Sequence, residues 1–228
     1  APHYLKPGDT VGITSPAGFI SSEDCNEAIA TIKEWGYKIK IGNTIGKKYL
    51  SFGGTDEERL TDLQQMLDDD SLSAIMCARG GYGLIRIIDK LNFKKFIKKP
   101  KWIIGFSDAT VLHSHISRNY GIATIHSKMC NSFVNRSVAE PIQTETIESI
   151  RKCLSGERMT YNVPANKYNK PGSISGILTG GNLKTLETLA GTASDIHTAN
   201  KILFVEDTGD YISIIDEMFC HVNGNKTL

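Results

Sequence analysis

The chain has 228 residues, 40% of them hydrophobic and 22% charged, with 26 basic side chains against 25 acidic ones and a formal net charge of +1. That balance fits a globular enzyme of one large or two small domains, and it gives no electrostatic reason to expect nucleic acid or an anionic membrane as partner. No apolar run approaches the ~20 residues needed to span a bilayer, and the first residues lack a signal-peptide pattern.

In chain order, Thr10 to Thr14 is a short apolar strand closed by the breaker cluster Ser15-Pro16-Ala17-Gly18. Ser21 and Ser22, with Glu23 and Asp24 behind them, give a helix N-cap signal with acid in the first turn. The helix they open carries Ala28, Ile29, Ile32 and Trp35 on one face and ends at Gly36. Tyr37 to Ile41 reads as the next strand. Thr55-Asp56-Glu57-Glu58 has the form of a capping box and opens a helix with Leu60, Leu63, Met66 and Leu67 on its apolar face. Ala74 to Ala78 is a buried strand stopped by Arg79-Gly80-Gly81-Tyr82-Gly83, and Leu84 to Leu91 reads as helical. The lysine run Lys94, Lys95, Lys98, Lys99 and Lys101 reads as a solvated helix end and loop. A strand at Ile103-Ile104, a turn at Ser107, a helix to about Tyr120, a strand from Ile122 to Ile125 and a helix from Thr144 to Leu154 follow.

Beyond Gly156 the pattern changes. The stretch to Gly172 is polar, with two prolines, and reads as a linker. After it come a glycine-broken strand from Ile174 to Gly181, a short helix from Asn182 to Leu189, and a strand from Lys201 to Asp207 that ends in acid. The expected fold class is α/β: a Rossmann-like, mostly parallel sheet over 1–155, a linker over 156–171, and an incomplete, strand-rich C-terminal domain over 172–228. The five cysteines are odd in number and widely spaced, so neither a disulfide framework nor a zinc site is expected, and a reducing compartment suits them.

In parallel sheets, sites form beyond the carboxyl ends of the strands. Ser15 to Gly18, Arg79 to Gly83, and Ser107 all follow strands, so all three should gather at one edge. The most informative of them is Gly105-Phe106-Ser107-Asp108-Ala109, where an apolar strand runs into a glycine, a serine and a helix start. This is the pattern of a nucleophile elbow, which exposes one hydroxyl on a sharp turn. The Asp108 amide and an amide of the Gly80-Gly81 turn would make a two-donor oxyanion hole, each donor worth about 3 kcal/mol of transition-state stabilisation. Arg79 suits a substrate carboxylate and a structural acid equally. Glu206, at the end of an apolar strand, either caps the next turn or orients a histidine. His126 ends the strand beside the serine strand, which brings it toward the site; a histidine that merely lines the edge through hydrogen bonds is the commoner outcome.

Taken together, Leu5 to Asp9, Ser15 to Gly18, Gly53 to Arg59, Ala78 to Gly83, Pro100 to Thr110, Gly176 to Leu183 and Ile202 to Asp207 resemble the LD-carboxypeptidase family, in family order and over nearly the whole chain. The resemblance implies a serine peptidase with Ser107 as nucleophile, Glu206 as the triad glutamate, and oxyanion amides from Asp108 and the Gly80-Gly81 turn. It implies hydrolysis of the L,D-amide bond of a cytoplasmic murein tetrapeptide, releasing terminal D-alanine, with no metal or organic cofactor. Its partners would be that peptide or a related small one, with no nucleic acid and no membrane.

One feature departs from the family. The triad histidine is expected downstream of Glu206 in a glycine-rich segment, and no such segment precedes Leu228. His221 lies too near Glu206 and lacks that setting. The expectation is therefore a chain truncated relative to the family, nearly inactive as it stands, with open strand edges that invite a homodimer. Two other readings follow: a peptide-binding relative without turnover, and a relative that cleaves a peptide–nucleotide conjugate.

Overall fold

Residues too apolar to face water on either side build the centre of one parallel sheet. The computed structural model describes residues 1–135 and 137–224. Its main sheet has five strands, β1 (Thr10–Thr14), β2 (Lys38–Ile41), β3 (Leu72–Cys77), β4 (Trp102–Gly105) and β5 (Ile125–His126), all parallel, in the order β2-β1-β3-β4-β5. β2 is an edge, and its alternating lysines Lys38 and Lys40 leave it largely exposed, which discourages pairing with another chain.

The pleat divides each central strand between two apolar layers. Ala74 and Met76 of β3 join Val11, Ile13 and Ile104 under α1 (Asn26–Glu34), while Ile75 and Cys77 join Ile103 under α2 (Asp56–Asp68) and α4 (Thr110–Tyr120). A five-residue helix, α3 (Lys94–Lys98), covers the second layer through Phe96. α5 (Pro141–Ser155) returns to the first layer with Ile147, Ile150 and Leu154.

The Thr55–Glu58 capping box forms as the spacing predicts. Local differences have local causes. The Ser21–Ser22 signal opens a single 3-10 turn at Glu23–Cys25 before α1, with the Ser21 hydroxyl accepting from the Asp24 amide at 3.1 Å. Leu84 to Leu91 is not one helix but two 3-10 turns, Leu84–Arg86 and Ile88–Lys90, with Leu84, Ile87 and Ile88 all buried in the core and the Leu84 amide donating to the Asp108 carboxylate. α5 begins at Pro141, three residues before the expected start, on a Glu140–Gln143 capping box. β5 pairs only through Ile125 and His126, because β4 offers it just Ile104 and Gly105. Lys101 is no surface lysine: it is fully buried, and its ammonium donates to the Leu67 carbonyl at 2.8 Å.

Residues 156–176 form no helix or strand. Beyond them β6 (Ile177–Asn182) and β7 (Lys201–Glu206) pair in parallel as a small second sheet, accompanied by α6 (Leu183–Leu189) and α7 (Ile212–Gly224). Polar bonds fasten this part to α4. The Asn182 amide donates to the Thr110 hydroxyl at 3.0 Å, the Ser114 hydroxyl to the Ser194 carbonyl at 2.5 Å, and the Arg118 guanidinium to the Asp195 carbonyl at 3.0 Å. No helix among the described residues is long and apolar enough to cross a membrane.

Candidate active site

The chain reverses sharply after β4. Phe106 is still extended, and Ser107 then takes a φ of +59°, one of three non-glycine residues in the left-handed region among the described residues. Such a conformation costs a serine ~1–2 kcal/mol and persists only where the surroundings impose it. A 3-10 turn, Ser107–Ala109, leads into α4. The small residues on either side are required by distance: a β-carbon on Gly105 would sit 2.8 Å from the Ala109 Cβ. Ser107 therefore stands half-buried at the carboxyl edge of the sheet. Among the described residues its hydroxyl has no hydrogen-bond partner.

The three post-strand turns meet at this edge. The Gly18 amide donates to the Gly80 carbonyl at 2.9 Å. Gly80 presses against the elbow so closely that an added β-carbon would lie 3.0 Å from the Ser107 Cβ and 3.1 Å from its Oγ. Any other residue there would push the hydroxyl aside. Arg79 is exposed and meets no acid among the described residues; its guanidinium donates to the Phe19 carbonyl at 2.9 Å.

Asp108 is buried, and its carboxylate accepts from the Leu84 amide at 2.9 Å. Burial pushes its pKa up to about 6, against the opposing pull of the Leu84 amide and the Arg59 charge. Arg59 is itself fully enclosed, donating to the Pro16 carbonyl at 2.6 Å, pairing with Asp56 and covering the Phe52 ring.

Glu206 ends β7 opposite Asn182, and its Oε1 lies 3.6 Å from the Nε2 of His126 at the end of β5. Capping falls instead to Asp207, whose carboxylate accepts from the Lys184 and Thr208 amides. Burial raises the Glu206 pKa and lowers that of His126, each group favouring its neutral form. Among the described residues the buried Glu206 Oε1 and His126 Nδ1 have no hydrogen-bond partner. His113, on α4, lies behind the elbow with Nε2 2.9 Å from the Gly105 carbonyl, and burial takes its pKa down to about 4. His221 is elsewhere, with Nδ1 2.7 Å from Glu187 on α6. An open cavity of about 870 Å³ begins at His126 and Ser127 and follows α5 to Tyr161.

Ser107, Asp108, Gly80 and Gly81 thus share one edge, and Glu206 reaches it through His126. The pairing of His126 with Glu206 had one sequence signal, its place at the end of the strand next to the serine strand. The Asp108 carboxylate had none, since Leu84 is 24 residues away in the chain.

Residues 11–127 match the LD-carboxypeptidase N-terminal domain, and residues 175–228 match the LD-carboxypeptidase C-terminal domain. The probable murein peptide carboxypeptidase of Bacillus subtilis (strain 168) is 34% identical over 219 residues, 95% of this chain and 68% of that protein. The microcin C7 self-immunity protein MccF of Escherichia coli is 27% identical over 254 aligned positions, 97% of this chain and 73% of its own. The crystal structure of muramoyltetrapeptide carboxypeptidase from Oxalobacter formigenes superposes with a TM-score of 0.82 at 25% identity, covering 96% of this chain and 72% of that one. With both family domains matched in order on a parallel sheet that carries a serine elbow, the chain belongs to the LD-carboxypeptidase family.

Proposed function

We propose that this chain carries the nucleophile half and the glutamate of a serine carboxypeptidase that hydrolyses the L,D-amide bond of murein tetrapeptide. In this reading residues 1–155 form the domain bearing the nucleophile, 156–171 the linker, and 172–228 the part that brings the glutamate. The Ser107 hydroxyl attacks the carbonyl carbon while a histidine oriented by Glu206 takes its proton. The Asp108 amide and the amides of the Gly80-Gly81 turn receive the oxyanion, and the histidine returns the proton to the departing D-alanine amine. Water then cleaves the acyl–serine ester by the same route. The cavity beside His126 has the volume of a small-ligand site and suits a short peptide. Arg79, exposed at the same edge, is the group available for a peptide carboxylate.

The observation that carries this reading is the contact of Gly80 with a Ser107 held at positive φ. A strained serine facing the backbone of a glycine turn has little structural purpose and an evident chemical one. The test is release of D-alanine from murein tetrapeptide by the chain and its Ser107→Ala variant. Both are assayed joined to the histidine-bearing segment of the family, because the 228 residues alone are expected to be nearly inactive. Release by the joined parent and none by the variant is the expected result, and equal release by both refutes the assignment.

A second reading is favoured by the likeness to the microcin C7 self-immunity protein: the same serine would cleave a peptide–nucleotide conjugate. Turnover of an aminoacyl sulfamoyl nucleoside, with none of the tetrapeptide, would select it. A third, binding without turnover, predicts tetrapeptide affinity that Ser107→Ala leaves intact and no product from either protein.

A further inference from the structure

The Asp108 side chain is an anomaly on energetic grounds. A carboxylate only 5% exposed normally acquires a cationic partner in contact, yet among the described residues Asp108 forms no ion pair. Its charge is met by the Leu84 amide, 2.9 Å from Oδ2, with further stabilisation from the Gly83 amide. Arg59 faces it across Gly83: a β-carbon placed on that glycine would be 2.5 Å from the Arg59 Nη1. The Cys77 thiol, buried at the end of β3, is the other titratable group whose charge state it influences, and burial holds that thiol neutral, with a pKa of about 12.

These contacts join parts that the proposed chemistry needs at fixed separation. The backbone nitrogen of Asp108 is one donor of the oxyanion hole, and the Gly80-Gly81 turn supplies the other. The carboxylate of the same Asp108 grips that turn at its far end, at Leu84. Arg59 fastens the third turn, through the Pro16 carbonyl. Deepening the serine hydrolase reading, on which it rests, we infer that the Asp108 carboxylate is a positioning residue that locks the glycine turn against the nucleophile elbow and so sets the distance between the two oxyanion donors. The residue acts twice, through its amide on the substrate and through its side chain on the turn.

A buried acid is retained here because it accepts backbone amides more strongly as an anion than a neutral group would. The arrangement carries a pH signature. Above about 6 the carboxylate is ionised and the grip on the Leu84 amide is charge-assisted; as the pH falls through that value protonation weakens it.

The test compares the whole chain with Asp108→Asn, which keeps shape and an acceptor oxygen, and Asp108→Ala, which keeps neither. Hydrogen exchange across residues 79–86, corrected for intrinsic rates, reads the grip without relying on turnover. At pH 8 Asp108→Ala should exchange there at least ~10-fold faster than the parent, and Asp108→Asn should recover most of the protection. The parent's protection should fall as pH drops through 6 and that of Asp108→Asn should stay level. In tetrapeptide hydrolysis kcat should drop about tenfold or more for alanine with KM nearly constant, and asparagine should restore part of it. Unchanged exchange in Asp108→Ala, or a KM effect alone, overturns the inference. If Asp108→Ala does not fold, the pH dependence of the parent against Asp108→Asn decides. Turnover that survives Ser107→Ala would refute the hydrolase assignment and leave the exchange result standing.

Discussion

The His126 Nε2 lies 3.6 Å from the Glu206 Oε1, joining the edge of the five-stranded sheet to the end of the small second one. Burial dominates both groups, lowering the histidine's pKa and raising the glutamate's. An NMR titration of the His126 ring should therefore show a midpoint below the ordinary 6.5. Replacing Glu206 with Gln removes the acid in contact with that ring among the described residues and should lower the midpoint further. A midpoint above 6.5 would mean that the ion pair, not desolvation, governs the site.

Gly80→Ala tests the contact beneath the nucleophile. The glycine's own backbone accepts alanine without a left-handed penalty, so the cost falls on its neighbours, the Ser107 side chain at 3.0 Å and the Met129 methyl at 3.2 Å. Displacing the hydroxyl by even a fraction of an ångström should cost about 100-fold in kcat/KM. Steady-state kinetics beside a thermal melt separates this outcome from unfolding: the expected change is large in the first and small in the second.

Ser107→Gly should act in opposite directions on stability and turnover. Glycine adopts a φ of +59° without strain, so urea denaturation should find the variant stabilised by up to about 1 kcal/mol. D-alanine release should vanish with the hydroxyl. A destabilised variant would indicate that the side chain makes packing contacts worth more than the strain.

His113 makes the fold sensitive to acid. Its pKa falls from the ordinary 6.5 to about 4 because burial penalises the cation. The stability tied to the neutral ring is fully present above 6.5 and is lost as pH falls toward 4, by roughly 3 kcal/mol in all. For global unfolding, which returns Asp108 to water, that carboxyl runs the other way: its raised pKa adds stability as pH drops through 6, although the same protonation loosens its local hold on the Leu84 amide. The two slopes oppose each other, so the readout is the difference between parent and His113→Gln in denaturation midpoints from pH 7 to 4. That difference should shrink as the solution becomes more acidic; a constant gap would exclude the histidine as its source.

The parallel sheet was legible because its signals are local: apolar runs at β1, β3 and β4, a capping box at Thr55, and turn residues where strands end. Gathering of the post-strand turns at one edge followed from topology, and the Gly18–Gly80 and Gly80–Ser107 contacts display it. Side-chain destinations set by distant partners were not legible. Lys101 sits within a lysine run yet turns inward to a carbonyl 34 residues earlier. The helix expected at Leu84 to Leu91 is two tighter turns, and its first amide donates to Asp108, 24 residues further along the chain. Nothing in the periodicity of 84–91 records that bond.

The Asn182 amide rests on the Thr110 hydroxyl, three residues past the serine, while β6 and β7 set Asn182 beside Glu206. The acid and the nucleophile are consequently indexed to a single threonine at the head of α4. A tilt of the small sheet cannot carry Glu206 away without also tugging the helix on which the elbow is mounted, so alignment of the two is a property of one joint rather than of two independent halves.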